Sequence, residues 1–266
     1  MANKEKGACS CGCCCSRVKC VVALVVLLVA IAVGGKFYID CAVKRVVGGA
    51  AGTTGAVTAE NLPATLLQNP KMVLDALMAY DRQQKEEAMA RKSENVKAAH
   101  NELYKDKSDP ILGDPNGKKV MVEFFDYNCG YCRMMSKNIE QLIKEVPGLK
   151  VVMKELPSMR PSSSIGSLAA LAAGKQGKFA EMHKGLMNLQ GEPTEAIVSK
   201  LAKDLKLDIK KFDADRSGKE LADKLDSNRT LAQKIGVESF PTLVFGDKIT
   251  AGAMSVEQAK QELGVK

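Results

Sequence analysis

The sequence predicts an α/β domain with a helical insertion, carried behind an N-terminal transmembrane or signal segment and a long helical stalk. Three stretches predict it. The apolar run Lys119 to Phe125 (KVMVEFF) reads as a buried strand, Cys129 to Glu145 has helical periodicity, and Leu149 to Glu155 (LKVVMKE) reads as a second strand. From Ser164 to about Gln233 the chain is helical throughout, with breaks near Gly174, Gly191-Glu192-Pro193 and Ser217-Gly218. Thr242 to Phe245 and Lys248 to Ala251 then flank Gly246-Asp247, a hairpin signal, and Ser255 opens a final helix. The order β–α–β, helices, β–β–α is that of an α/β domain interrupted by helices at about 162–234.

Upstream, Val21 to Gly35 is an uncharged apolar run, with Lys4, Lys6, Arg17 and Lys19 before it and Lys36 after it. As a helix it would rise about 23 Å, slightly short of the roughly 17–25 residues of a spanning segment. Two readings follow. One is a signal peptide cleaved near Ala30-Ile31-Ala32. The other is an uncleaved anchor over residues 20–39 lengthened by Phe37-Tyr38-Ile39, and this is the reading favoured. Either way the positive flank keeps residues 1–19 in the cytoplasm and exports the bulk of the chain.

Residues 40–65 form a linker, glycine-rich at Gly48 to Gly55 (GGAAGTTG). Asn69-Pro70 then reads as a cap followed by proline at the first helical position. From Lys71 to Asp109 there is neither Gly nor Pro, which predicts one long helix or two in tandem. Val73, Leu77 and Tyr80 make one short stripe, and Met89, Val96, Ala99 and Leu103 another, with Arg82 to Glu87 polar all round. Such a stalk (66–108) packs on the domain by its ends or self-associates, and residues 70–105 are the candidate homo-oligomer segment. The compact domain occupies 109–266.

A net charge of +8 in 266 residues is modest, and lysines interleave with acids, as in Lys85-Glu86-Glu87. No aromatic-studded basic stripe or zinc-finger spacing is present, which argues against nucleic acid as a partner. The nine cysteines are more informative: Cys9, Cys11, Cys13, Cys14, Cys15 and Cys20 crowd the start, Cys41 follows the apolar run, and the rest of the chain keeps Cys129 and Cys132. A disulfide-stapled domain would scatter its cysteines through the fold. The N-terminal cluster reads as a reduced tail, with metal binding or acylation as the alternatives, and Cys41 as an idle thiol or a site of interchain pairing.

Cys129-Gly130-Tyr131-Cys132 follows a buried strand and opens a helix. There the first thiol meets unpaired backbone N–H groups and the positive end of the helix dipole, so its pKa falls below the free value of about 8.5. Cys132, one turn on, is more buried, stays protonated and acts second. In the oxidised form a substrate thiolate attacks the Cys129 sulfur; in the reduced form Cys129 attacks a substrate disulfide and Cys132 resolves it. A zinc half-site would need two further ligands, and the other candidates, His100 and His183, lack paired spacing and read as surface or packing residues. No metal and no cofactor is expected. Tyr131 is expected to be exposed as an apolar contact for unfolded substrates, with Met134 or Met135 extending that patch.

These motifs, together with Gly236-Val237-Glu238-Ser239-Phe240-Pro241-Thr242, resemble the DsbA family of thioredoxin-fold proteins, and most of all the exported subgroup related to suppressor-of-copper-sensitivity protein C. The similarity spans roughly residues 66 to 263. It implies a thioredoxin fold, a cis Pro241 against the active-site sulfurs, and backbone beside it that pairs with an extended substrate, making Phe240 and Thr242 candidate substrate contacts. It also implies that Glu123 is a buried acid that handles the proton of Cys132. A carboxylate in an apolar strand needs a raised pKa or a cationic partner, and Lys154 on the neighbouring strand is the candidate. The sequence departs from the family where Ser239 and Phe240 replace the usual small residue and Thr, and Phe240 reads equally as a core-packing residue or a substrate contact.

The resemblance implies a thiol:disulfide interchange enzyme acting on unfolded or misoxidised envelope proteins with a membrane redox partner. Gly130-Tyr131 is the dipeptide of the isomerase DsbC, whereas DsbA carries Pro-His, which favours isomerase or mild oxidase activity. The alternatives are a non-enzymatic envelope surface protein built on the same fold and a dedicated reductase for a metal-assembly pathway.

Overall fold

The computed structural model describes residues 66–157 and 159–265; the apolar run Val21–Gly35, the linker, the N-terminal cysteine cluster and Cys41 lie outside them. The chain divides into two units, residues 1–74 and 75–266. Among the described residues no helix is long and apolar enough to cross a membrane.

The stalk is a tandem: α1 (Pro70–Ala98) and the short α2 (His100–Tyr104). Along the second unit's part of α1, Leu77, Met78, Tyr80 and Met89 are each more than half exposed. Its C-terminal end behaves differently. Val96, Ala99 and Leu103 are buried with Val122, Phe124, Val152 and Val244 in one core cluster, so residues 96–104 belong to the folded domain. Burying Leu103 alone is worth about 1.5–3 kcal/mol. Lys234 to Glu102 and the Tyr104 hydroxyl to the Gly246 carbonyl (2.7 Å) fasten the same segment.

Five strands form one sheet in the order β1 (Ile111–Gly113), β3 (Leu149–Glu155), β2 (Lys119–Phe125), β4 (Thr242–Phe245), β5 (Lys248–Ala251). β2 and β3 are parallel, joined by a crossover through α3 (Gly130–Glu145); the other pairings are antiparallel. β1 was not expected from sequence: three residues are too short for a period-two signal, and pairing to β3 makes them a strand. The Asp114-Pro115-Asn116-Gly117 turn after it closes through the Gly117 N–H on the Asp114 carbonyl (2.9 Å).

Strand alternation sorts the side chains into two layers. Met121, Phe125, Val151, Met153 and Leu243 face the larger core, built with α3, the inserted helices and α9 (Val256–Glu262). Val122, Phe124, Val152 and Val244 face the smaller core under α2 and the end of α8 (Lys219–Ile235). The insertion runs through α4 (Pro161–Gly174), α5 (Phe179–Met187), α6 (Glu195–Asp204) and α7 (Ile209–Ser217) before α8. α8 stops at Gly236, whose positive φ of 77° is a left-handed cap open to glycine, and the chain then turns back to β4.

Candidate active site

β2 delivers the chain to Asp126, a buried carboxylate that accepts from the Asn128 N–H (2.8 Å), the Ser163 hydroxyl (2.7 Å) and the Met159 N–H (2.9 Å). One side chain thus ties the turn before the cysteines to the loop entering α4. The Arg133 guanidinium adds bonds to the Tyr127 and Gly191 carbonyls. The turn is held before any chemistry begins.

Cys129 caps α3. Its backbone is extended (φ −85°, ψ 116°) and its sulfur accepts from the Cys132 N–H at 3.3 Å. The helix continues because Cys132, Met135, Ser136, Ile139 and Leu142 recur on its buried face at helical spacing. Both cysteines are free thiols. Their acidities are pushed apart. The Cys132 thiol donates to the Cys129 sulfur, and the N–H groups of Cys132 and Tyr131 add to it; against burial and Asp126, these bring the Cys129 pKa down to about 6. Burial, the same thiol bond and the nearby charge of Glu123 push Cys132 far up. At neutral pH the pair holds one thiolate, and it sits on Cys129.

Pro241 follows a cis peptide bond from Phe240, and the Phe240 carbonyl lies 3.6 Å from the Cys129 sulfur. The Phe240 ring packs between the two core clusters and reaches an open groove of about 650 Å³ lined by Cys129, Gly130, Tyr131, Met134, Met159 and Ser239. Tyr131, Met134 and Met159 are exposed, whereas Met135 turns fully inward. Thr242 follows Pro241 at the start of β4. Its side chain is buried, and its hydroxyl donates to the Ser239 carbonyl at 2.6 Å, so it braces the loop from within.

Glu123 is fully buried beneath the cysteines, and neither carboxylate oxygen closes a hydrogen bond among the described residues. Burial first, then the charges of Cys129 and Glu155, raises its pKa well above the ordinary carboxyl value. Lys154 is not its partner. The register sets Glu123 beside Met153 and Lys154 beside Phe124, which puts the two side chains on opposite faces of the sheet. Lys154 instead pairs with buried Asp109 and donates to the Glu102 carbonyl (2.6 Å), fastening the α2 segment.

Of the two histidines, His100 is exposed and rests against Tyr104, while His183 is buried in the site's inner wall. Its Nδ1 lies 3.0 Å from the Tyr127 hydroxyl and its Nε2 3.4 Å from the Ser136 hydroxyl. Tyr127 in turn donates to Glu155 at 3.1 Å. Gly166 makes room for the Tyr127 ring, since a Cβ there would stand 3.0 Å from it. Sequence reasoning missed Asp126, Tyr127, Glu155 and Met159. An Asx-turn signal at Asp126-Tyr127-Asn128 marked the first, and the acid closing an otherwise apolar strand marked Glu155. Among the described residues no group of three or more His, Cys, Asp or Glu could hold a metal ion.

Two thiols one helical turn apart, one ionised at neutral pH and one not, beside a proline loop and above a buried acid, define a thiol–disulfide oxidoreductase. Residues 105–263 match the family model described as Thioredoxin. A thioredoxin-like oxidoreductase from Silicibacter pomeroyi is 32% identical, covering 62% of this chain and 95% of its own, at a TM-score of 0.59. ScsC of Proteus mirabilis in a transitional conformation is 27% identical over 79% of this chain and 98% of its own, at a TM-score of 0.60. The chain belongs to the thioredoxin family, on the DsbA-like, ScsC-like side of it. A curated relative of another kind, a Na(+)/H(+) antiporter of Salinispora arenicola, is 30% identical over 155 residues, and the chain spans 23% of that protein's length.

Proposed function

We propose that this protein exchanges disulfides in exported proteins through Cys129 and Cys132, as an isomerase or mild oxidase. The observation that carries the reading is the placement of the pair: the Cys129 sulfur caps α3, accepts from the Cys132 N–H at 3.3 Å and lies 3.6 Å from the Phe240 carbonyl, an arrangement that lowers the Cys129 pKa to about 6 and raises that of Cys132. The thiolate attacks a substrate disulfide, forming a bond between Cys129 and one substrate sulfur while the other leaves as thiolate. Either the substrate's own thiol displaces Cys129, which isomerises the substrate, or Cys132 does, which reduces it and leaves the Cys129–Cys132 disulfide. The groove around Tyr131, Met134, Met159 and Phe240 suits an unfolded segment with apolar side chains. The Phe240 carbonyl beside the sulfur suits main-chain pairing with an extended substrate.

Three further parts belong to this reading. Residues 20–39 anchor the chain in the bacterial inner membrane with the catalytic domain in the periplasm, where a membrane redox partner resets the pair; the positive flank before the apolar run supports the orientation. The N-terminal cysteines remain on the reducing side. The stalk associates copies of the chain through the exposed Leu77, Met78, Tyr80 and Met89, and an array of sites around one client suits isomerisation.

Recovery of scrambled ribonuclease tests the activity. The wild-type chain restores it, and changing both Cys129 and Cys132 to Ser abolishes restoration; recovery by the double variant overturns the reading. Equilibration with glutathione buffers then ranks oxidase, isomerase and reductase. For the stalk, removing residues 1–88 spares Val96, Ala99 and Leu103 and is expected to give a monomer by light scattering. A truncated chain that still has the mass of several subunits removes the oligomer proposal.

A further inference from the structure

The mechanism leaves one buried polar chain unused. From the floor of the site it runs Glu155, Tyr127, His183, Ser136, linked at 3.1, 3.0 and 3.4 Å, and each of the four is buried. Phe125 and Phe179 pack on the His183 ring, with centroids 5.2 and 5.5 Å away. Glu155 and Glu123 project from the same face of adjacent parallel strands, two positions apart in register: Phe125 pairs with Glu155, and Glu123 with Met153. Two carboxyls therefore share one water-poor space, and among the described residues neither forms an ion pair.

We propose that Glu155, held by Tyr127 and His183, is a positioning residue that sets the protonation of Glu123 and, through it, the removal of the proton from Cys132. The inference rests on the exchange reading above and assigns a second acid to the same site.

The surroundings of Glu155 support this. Facing it are Glu123 from β2, Asp126 and Tyr127 from the turn, and Ser167 from α4, while Asn228 from α8 donates to its backbone carbonyl (3.0 Å). His183 from α5 reaches it through Tyr127. Lys154 is on the far face and engaged with Asp109. Burial raises Glu155 to about 8 against the lowering influence of Ser167 and Tyr127. Burial likewise depresses His183 to about 3, so the imidazole stays neutral at working pH and has one N–H to give. With Glu155 ionised, Tyr127 donates to it, the Nδ1–H of His183 donates to Tyr127, and Ser136 donates to Nε2. With Glu155 protonated, the same distances hold the bonds in the opposite direction. The chain accommodates both charge states of Glu155 without moving heavy atoms.

The step governed is release. In a mixed disulfide, the Cys132 sulfur bonds to the Cys129 sulfur and the bond from Cys129 to the bound thiol breaks. The electron pair leaves on that thiol as thiolate, and the Cys132 proton passes to the Glu123 carboxylate. Release therefore needs Glu123 ionised, and a negative Glu155 opposes this. Removing the charge of Glu155 therefore favours ionisation of Glu123.

The test uses the full chain with its seven other cysteines changed to Ser, reacted in single turnover with oxidised glutathione, reading glutathione release against pH. Glu155→Gln keeps an acceptor for Tyr127 and removes the charge. Tyr127→Phe keeps the ring and removes the donor that favours ionised Glu155, and it serves as a second variant independent of the first. Both are expected to move the rising limb of the release profile to lower pH, by about one unit for Glu155→Gln, or roughly tenfold faster release on that limb. A limb that stays at the wild-type position or moves to higher pH in a folded variant overturns the inference. If the wild-type chain takes up glutathione and never releases it, the exchange reading fails together with the inference.

Discussion

The carbonyl oxygen of Phe240 lies 3.6 Å from the sulfur of Cys129, which puts the loop before β4 against the reactive atom while the Phe240 ring forms part of the groove beside it. The backbone and side chain of Phe240 therefore do different work. Phe240→Thr should keep the carbonyl in place and remove the ring from the groove. The expected result is a KM about tenfold higher for an apolar disulfide peptide, from roughly 1–2 kcal/mol of lost apolar contact, with Cys129 alkylation still centred near pH 6. Steady-state kinetics and alkylation rates against pH check the two halves.

Tyr131 and Met134 expose apolar surface on the groove next to the sulfur. Changing both to Ser should slow the reaction with an unfolded protein client several-fold and leave reduction of a small symmetric disulfide nearly untouched. Equal loss on both substrates would mean that the patch shapes the thiol rather than the client.

The buried acids give stability a pH dependence of known sign. The folded pKa of Glu155, about 8, lies above the ordinary carboxyl value of 4.5, so folding takes up a proton between them. Its contribution is full below pH 4.5 and is lost as pH rises through 8. Glu155→Gln removes this term. Urea unfolding of the reduced protein should show the variant gaining about 2 kcal/mol or more relative to wild type between pH 5 and pH 8. Cys129 contributes the opposite trend, from a lowered pKa, but does so in both proteins and cancels in the difference.

Lys154 supports the fold and not the chemistry. Lys154→Met leaves Asp109 buried with Lys224 alone, and should cost about 3 kcal/mol by denaturant unfolding. The glutathione-release profile against pH should keep its wild-type position. A displaced profile would return Lys154 to the active site.

The elements with strong periodicity were legible. Lys119–Phe125, Leu149–Glu155, the helix after Cys129 and the hairpin over Thr242–Ala251 were all expected where the strands and helices stand. Their apolar patterns match the faces they bury. What sequence could not show was set by pairing across the sheet. β1 exists because β3 pairs with it, and the sheet register decides that Lys154 and Glu123 face apart. The His183–Tyr127–Glu155 chain joins residues 56 and 28 positions apart, so no local spacing marks it. The Thr242 hydroxyl meets the Ser239 carbonyl across the cis-proline turn, a contact that only the fold makes. The end of the stalk was ambiguous for the same reason: Val96, Ala99 and Leu103 form a stripe that could face another copy, and in the structure it faces β2 and β3.

The exchange chemistry depends most on the ionisation of Cys129. The thiolate absorbance of the reduced protein in the ultraviolet, followed against pH in the chain whose only cysteines are Cys129 and Cys132, measures it directly. One sulfur should titrate with a midpoint near 6, and Cys129→Ser should remove that transition while Cys132 stays protonated through neutral pH. A first transition near about 8.5, the value of a free cysteine, would contradict the account.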